Sequence, residues 1–248
     1  MKEQKNAALA EMIYKRKSTR AYTSNAVDGE TLARIRDFID GIIPLYPEIP
    51  TRYEIVTRDK VKSMFKWLPE YAVAAFSEEK DGYLENVGFV LGKLDLFIHS
   101  LGLGSCWIGM GRMGDATVGS EDDKKFVILL FFGHPKGGSP YRKESEFNRK
   151  SLADISDRQD ERLEPARLAP SSINSQPWYF SHGEEGAIHL YRTADNFLRA
   201  RVMAKFNTID TGIALSHLAV SYPDSFRYEK LDTPPDLRGK SYIGTIYI

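Results

Sequence analysis

Apolar residues recur along the chain with spacings that assign most of its elements. Leu9, Met12 and Ile13 share one face of a helix predicted over 7–17. The run Asp28-Gly29-Glu30-Thr31 opens a second helix. It continues through Leu32, Ile35, Phe38 and Ile39 and is ended by Pro44, Pro47 and Pro50. A strand is predicted over 52–57, a short helix over 59–68 and a short apolar strand over 71–76. Val87, Val90, Leu91, Leu94, Ile98 and Leu101 mark a long apolar helix over 84–101, stopped at Gly102 and Gly104. The run 126–132 is continuously apolar, too short and too β-prone for a helix. A polar, basic stretch from Gly137 to Lys150 then reads as a linker.

The second half repeats the first. "GIIP", ending at Pro44, matches "RLAP", ending at Pro170, an offset of 170 − 44 = 126. Gly88, Leu91 and Leu94 recur as Gly212, Leu215 and Leu218, an offset of 212 − 88 = 124. The alternating run 242–248 mirrors the strand at 126–132. Near-constant offsets over helix, helix and strand suggest a duplicated α+β unit, with halves at 1–150 and 151–248. Chance matching of helical periods is the plainer alternative. A unit this long is not a solenoid repeat; it is more like two protomers of a symmetric dimer joined in one chain.

Composition narrows the partners. The 248 residues carry 34 basic and 34 acidic side chains, a formal net charge of zero. A nucleic-acid binder would usually be basic, so none is expected. The longest apolar run is far short of the ~20 residues of a membrane span, and no signal peptide is visible. A cytoplasmic protein acting on a small molecule, without membrane contact, is expected. The single cysteine, Cys106, excludes intrachain disulfides. With no adjacent histidine and no cation nearby in sequence, it reads as a packed thiol. The five histidines lack ligand spacing, so no metal site is expected.

Four segments carry possible chemistry. Arg16-Lys17-Ser18-Thr19-Arg20-Ala21-Tyr22 gathers three cations and a hydroxyl that can surround a phosphate; on charge alone, a solvated basic helix end accounts for it equally. The turn Pro170-Ser171-Ser172-Ile173-Asn174-Ser175-Gln176-Pro177 offers uncharged donors and acceptors, and feeds directly into aromatic Trp178-Tyr179-Phe180. An ordinary Ser/Asn/Pro turn is the alternative. In Gly102-Leu103-Gly104-Ser105-Cys106-Trp107-Ile108-Gly109-Met110-Gly111, glycines allow backbone N–H groups to approach a ligand. Helix capping explains Gly102 and Gly104 but not Gly109 and Gly111. Asn148-Arg149-Lys150 could bring a further cation to the phosphate, or be a charged linker. No GxGxxG or GxxxxGK[ST] pattern is present.

Together these segments resemble the FMN-dependent nitroreductase family. "RKSTRAY" is similar to its N-terminal RRSxRxF phosphate motif, and "ARLAPSSINSQPW" to its AR-APSS-NSQPW turn, the most specific match. "GLGSCWIG" resembles its flavin-edge loop, and "FFGHP…NRKSL" its terminal segment. The order is unusual, because the polar turn lies in the second half. In ordinary members this turn comes from the other subunit of a homodimer, so the resemblance implies the tandem, single-chain subgroup. That subgroup would have an α+β nitroreductase-like fold, with antiparallel sheets flanked by helices and two degenerate copies forming an internal pseudo-dimer. It would be monomeric, with further association open, and hold one complete flavin site and one lost. The resemblance further implies that Arg16, Lys17, Ser18 and Arg20, assisted by Arg149, hold the FMN phosphate. Pro170, Ser171, Ser172 and Asn174 would border ring and ribityl chain, and the N–H groups of Gly109 and Met110 would face the ring's N5 and O4. NADH or NADPH would supply hydride to a nitroaromatic or quinone-type acceptor, with no catalytic side chain required. A flavin-binding protein without turnover, and a flavin-fragmenting or dehalogenating enzyme, are the alternatives on the same scaffold.

Overall fold

A computed structural model of the chain describes residues 2–114, 123–193 and 197–248. Its elements, in order, are α1 (Lys2–Ile13), α2 (Gly29–Asp40), β1 (Thr51–Thr57), β2 (Val61–Lys62), β3 (Tyr71–Ser77), α3 (Tyr83–Ser100), β4 (Gly104–Ile108), β5 (Arg112–Met113) and β6 (Lys125–Gly133). Then come α4 (Leu152–Ile155), α5 (Glu164–Arg167), β7 (Trp178–His182), β8 (Ile188–Thr193), α6 (Phe197–Ser221), β9 (Arg227–Glu229) and β10 (Lys240–Tyr247). This is the α+β architecture that the pattern predicts, with the antiparallel sheets and flanking helices that the family resemblance implies.

Two four-stranded sheets have the orders β1-β3-β6-β4 and β7-β8-β10-β9, with every pairing antiparallel. In each, the strand that comes fourth in the chain lies between the second and the third. In each, a long helix connects the second strand to the third: α3 in one and α6 in the other. The central strand β6 is buried along seven consecutive residues because both its faces are covered, which is why it reads as an unbroken apolar run.

α3 and α6 cross at the centre of the molecule, and glycines set how closely. A Cβ on Gly88 would lie 2.1 Å from the carbonyl oxygen of Ile209; a Cβ on Gly212 would lie 2.1 Å from that of Glu85. One continuous core joins side chains from both halves of the chain, from Ile13, Ile35 and Leu91 to Leu163, Phe180 and Leu215. A smaller cluster, with Phe76, Leu129 and Phe131, covers the other face of the first sheet.

Three local expectations are corrected. The first helix stops at Ile13, and 16–22 runs extended instead of forming a basic helix end. That segment finds better partners as a strand: Arg16 bridges Tyr141, Ser18 bridges Ser105 and Tyr22 bridges Pro135. The helix expected over 59–68 is absent. Arg58–Lys60 makes one 3₁₀ turn, and Val61–Lys62 pairs with Arg112–Met113. The stretch from Gly137 to Lys150 is packed, not a free linker. Pro140 accepts from the N–H of Lys17, Arg142 donates its N–H to Lys15, and the Tyr141 hydroxyl donates to His99 O at 2.8 Å.

Candidate functional site

The extended segment 16–22 lies between β4 and the 134–142 segment. Thr19 N–H donates to Ser105 O at 2.8 Å, and Lys136 N–H to Ala21 O at 2.9 Å. Gly104 has no room for a side chain, since a Cβ there would meet the Thr19 hydroxyl. Three segments singled out from sequence, around residues 16, 104 and 140, therefore form one surface.

Asp95 of α3 is the hub beneath it. The carboxylate is fully buried, with Arg16 Nε at 3.2 Å and the Trp107 indole N–H donating at 3.2 Å. The Ser105 hydroxyl donates to its other oxygen, and His99 Nδ1 stands 3.3 Å away. Burial alone would push this carboxyl up; the Arg16 charge, with the His99 and Ser105 hydrogen bonds, instead holds it well below the usual carboxylate range. Arg16 is 1% exposed, and its Nη2 reaches toward Ser18 Oγ at 3.5 Å.

Around Arg16, itself paired with Asp95, stand further guanidiniums. Arg149 is pulled down to about 10 by burial and by the charges of Arg16, Arg142 and Arg167. Arg142 is lowered by burial and by Arg16, with Arg20 adding to the effect and Glu146 opposing it. The Nε of Arg142 is buried with no hydrogen-bond partner, and that of Arg16 has only the Asp95 carboxylate, at 3.2 Å. Like charges gathered in this way, with a buried donor unmet, are chemically suited to an anion. The same arginines reach Cys106: burial raises its thiol while Arg20 and Arg16 oppose the rise. Cys106 is thus packed, as expected, but not remote from cations.

Arg149 ties this surface to the polar turn. Its Nη1 donates to Asn174 Oδ1 at 2.7 Å, and Asn174 Nδ2 donates to Asn148 O at 2.9 Å. Lys150 N–H donates to Gln176 Oε1 at 2.7 Å. Within the turn, Gln176 N–H donates to Ser171 Oγ at 2.9 Å, and Pro170 is buried. Ile173, Asn174 and Gln176 all have left-handed φ, at 48°, 58° and 48°. For a β-branched residue such as Ile173 this is a true outlier, and strain of this kind collects at functional sites.

α6 joins the turn to the glycine loop. Asp210 accepts from Ser172 N–H at 2.9 Å, and Ser175 Oγ donates to Asn207 Oδ1 at 3.4 Å. One helical turn earlier, Phe206 packs on Gly109, where a Cβ would meet its ring at 2.6 Å. Gly109 is exposed, and Met110 is 71% exposed. From Ser105 beside Ser18 to Gly109 is four residues of β4 and the following turn, about 13 Å when extended. The exposed turn at Gly109 thus follows the end of β4, and the basic segment lies beside its start.

The sequence-named residues fall into place unevenly. Arg16, Ser18, Arg149 and Asn174 are connected through the arginine cluster. Ser171 and Ser172 make the turn's own bonds. Lys17, whose carbonyl meets His99 Nε2 at 3.1 Å, and exposed Arg20 stand on the extended segment. Gly109 and Met110 stand at the far end of β4. Sequence reasoning missed Asp95, Arg142, Phe206, Asn207 and Asp210. Asp95, Asn207 and Asp210 sit on otherwise apolar helical faces, which is the one signal that could have found them; Arg142 lies in an irregular segment and gave none. Among the described residues, no cluster of three or more His, Cys, Asp or Glu is arranged to hold a metal ion, and no helix is long and apolar enough to cross a membrane.

Residues 8–222 match a family model described as "Putative TM nitroreductase". The chain belongs to this nitroreductase family. Among solved structures it is similar to a putative nitroreductase from Thermotoga maritima, with a TM-score of 0.63 at 18% identity, covering 96% of this chain and 91% of that one. It is also similar to a nitroreductase family protein from Clostridium difficile 630, with a TM-score of 0.48 at 19% identity, over 61% of this chain and 98% of that one. A third is iodotyrosine deiodinase bound to FMN and 3-iodo-L-tyrosine, with a TM-score of 0.43 at 18% identity, over 58% of this chain and 98% of that one. No curated protein matches the chain. The family match and the Thermotoga maritima structure establish the nitroreductase-like α+β fold.

Proposed function

We propose that the chain is an FMN-dependent oxidoreductase that passes hydride from NADH or NADPH to a nitroaromatic or quinone-type acceptor, acting as a single-chain pseudo-dimer with one flavin site. The observation that carries it is Arg149, which donates to Asn174 of the strained turn 171–176 and stands close enough to Arg16 to feel its charge. The donor set suits the cofactor: several guanidiniums, with the buried Nε of Arg142 lacking a hydrogen-bond partner, suit a phosphate. An uncharged turn and an exposed glycine edge suit a neutral, planar ring.

Four contacts support the tandem reading. Asp210 holds the N–H of Ser172, and Asn86 holds the N–H of Tyr46 at 3.0 Å. The helix residues differ by 210 − 86 = 124 and the turn residues by 172 − 46 = 126, the offsets of the sequence repeat. The contacts of Gly88 with Ile209 and of Gly212 with Glu85 exchange under the same offset of 124.

When bound, FMN supplies the hydride-accepting and hydride-donating chemistry. The chain's own work is positioning. Arg16, Lys17, Ser18 and Arg20, assisted by Arg149, would hold the phosphate, with Asp95 fixing Arg16 from behind. Pro170, Ser171, Ser172 and Asn174 would border ring and ribityl chain. The N–H groups of Gly109 and Met110 would donate to the ring's polar edge, where negative charge develops on reduction, in the manner of an oxyanion hole. Phe206 would keep water from that edge.

The purified protein should be yellow, or turn yellow on adding FMN, and the bound flavin should bleach anaerobically with NADH or NADPH. Colourless protein that takes up no FMN overturns the assignment. Bound flavin that neither nucleotide bleaches leaves binding without turnover.

A further inference from the structure

We propose that the cavity bounded by Pro44, Phe89, Lys93, Phe226 and Tyr228 is a second ligand site, which takes a small planar aromatic carboxylate. The cavity measures about 270 Å³ and lies where α3 and α6 meet the 43–45 turn and the 223–228 segment. It stands on its own residues and does not depend on the flavin reading.

Three aromatic rings stand among its otherwise aliphatic walls. Phe89 and Phe226 stack with ring centres 6.1 Å apart and planes 22° apart. Tyr228 contributes its ring only, because its hydroxyl donates to Ile243 O at 2.9 Å and lies 2.6 Å from the Tyr46 hydroxyl. The cavity therefore offers ring faces and a single charged group.

That group is Lys93. Its Nζ sits 4.2 Å from the centre of the Phe89 ring, and no carboxylate pairs with it among the described residues. Burial alone pulls the ammonium down to about 8, so it is still mostly charged at neutral pH. On α3, Asp95 neutralises the neighbouring basic surface. The α6 residue at the repeat offset, 219 − 95 = 124, is Ala219, and it lines this cavity. The counter-charge is thus absent from the walls. A lone ammonium in an aromatic cavity matches one carboxylate on a ring. It does not match a phosphate, which needs several donors, or a cation.

Salicylate is a suitable probe. With FMN saturating in the buffer, ligand-observed saturation-transfer NMR should show saturable salicylate binding. Lys93→Met should weaken it by about tenfold or more, and Lys93→Arg should keep it within about threefold, given the usual strength of a charge-assisted hydrogen bond. Benzylamine should not bind at this site. Should Lys93→Met lose a native melt, reductive ¹³C-methylation of the native protein gives a second reading: the dimethyl-lysine signal missing from Lys93→Arg should shift with salicylate. The proposal is overturned by absent saturable binding, by affinity unchanged in Lys93→Met, by a stationary methyl signal, or by benzylamine binding as tightly as salicylate.

Discussion

Replacing Asp95 with alanine should separate what holds the fold from what serves the ligand. The carboxylate is buried and meets Arg16 at 3.2 Å, with the Trp107 indole donating at 3.2 Å and Ser105 and His99 beside it. Removing it leaves the Arg16 guanidinium, itself 1% exposed, charged and unpaired. Breaking a buried pair in this way costs about 3–5 kcal/mol. In a chain of this size each kcal/mol shifts the melting temperature by about 2–4 °C, so Asp95→Ala should melt roughly 6–20 °C lower. The folded carboxyl is held below its unfolded value of about 3.9. Its contribution is therefore fully present above that value, and is lost only as pH falls through the folded one. The gap between parent and Asp95→Ala should be the same at pH 6 and pH 8. Replacing both partners with apolar residues, Arg16→Met with Asp95→Leu, should restore most of the stability while leaving FMN binding weak. Circular-dichroism melts with flavin-fluorescence titrations read both quantities. An Asp95→Ala melt within about 2 °C of the parent, or a double variant melting as low as the single, would refute the buried-pair reasoning.

Three further outcomes follow from the same contacts. Arg16→Ala together with Arg20→Ala should weaken FMN by about 1.5–3 kcal/mol for each lost charged hydrogen bond; undiminished affinity in a fluorescence titration contradicts the phosphate assignment. Asp210 is fully buried, and burial drives its carboxyl well above the usual range despite the Ser172 N–H. A raised folded value favours folding at low pH and costs stability as pH rises above the unfolded value. Asp210→Asn should therefore gain in melting temperature over the parent between pH 5 and pH 8; a gain that shrinks with pH argues against this. Gly88→Ala places a methyl 2.1 Å from the Ile209 carbonyl oxygen, so overpacking should cost about 1–3 kcal/mol or more. A denaturant midpoint equal to that of the parent rules out the close crossing of α3 and α6.

Where local pattern and tertiary demand agree, the fold could be read from the chain. The apolar period of 84–101 gave α3 to within a residue at each end, and the runs at 52–57, 71–76 and 126–132 gave β1, β3 and β6. Reading failed where a distant partner decides. Residues 61–62 are a strand only because Arg112–Met113 lie beside them. Residues 14–17 leave the helix because Tyr141 and Ser105 offer the following segment a ladder. The site was legible through its motifs, since clustered cations and a Ser/Asn/Gln turn announce chemistry locally. The residues that organise it were not. Asp95 sits among Leu91, Leu94 and Ile98, 95 − 16 = 79 residues from the arginine it pairs with. The left-handed backbone at Ile173 and Gln176 has no glycine to reveal it.

A crystal structure of the protein soaked with FMN gives the most direct answer. The phosphate should lie among Ser18, Arg20 and Arg149, with the ring's polar edge against the N–H groups of Gly109 and Met110 and its side against the 170–174 turn. Flavin density away from Arg149 and Asn174, or ordered density nowhere on the chain at saturating FMN, would contradict it.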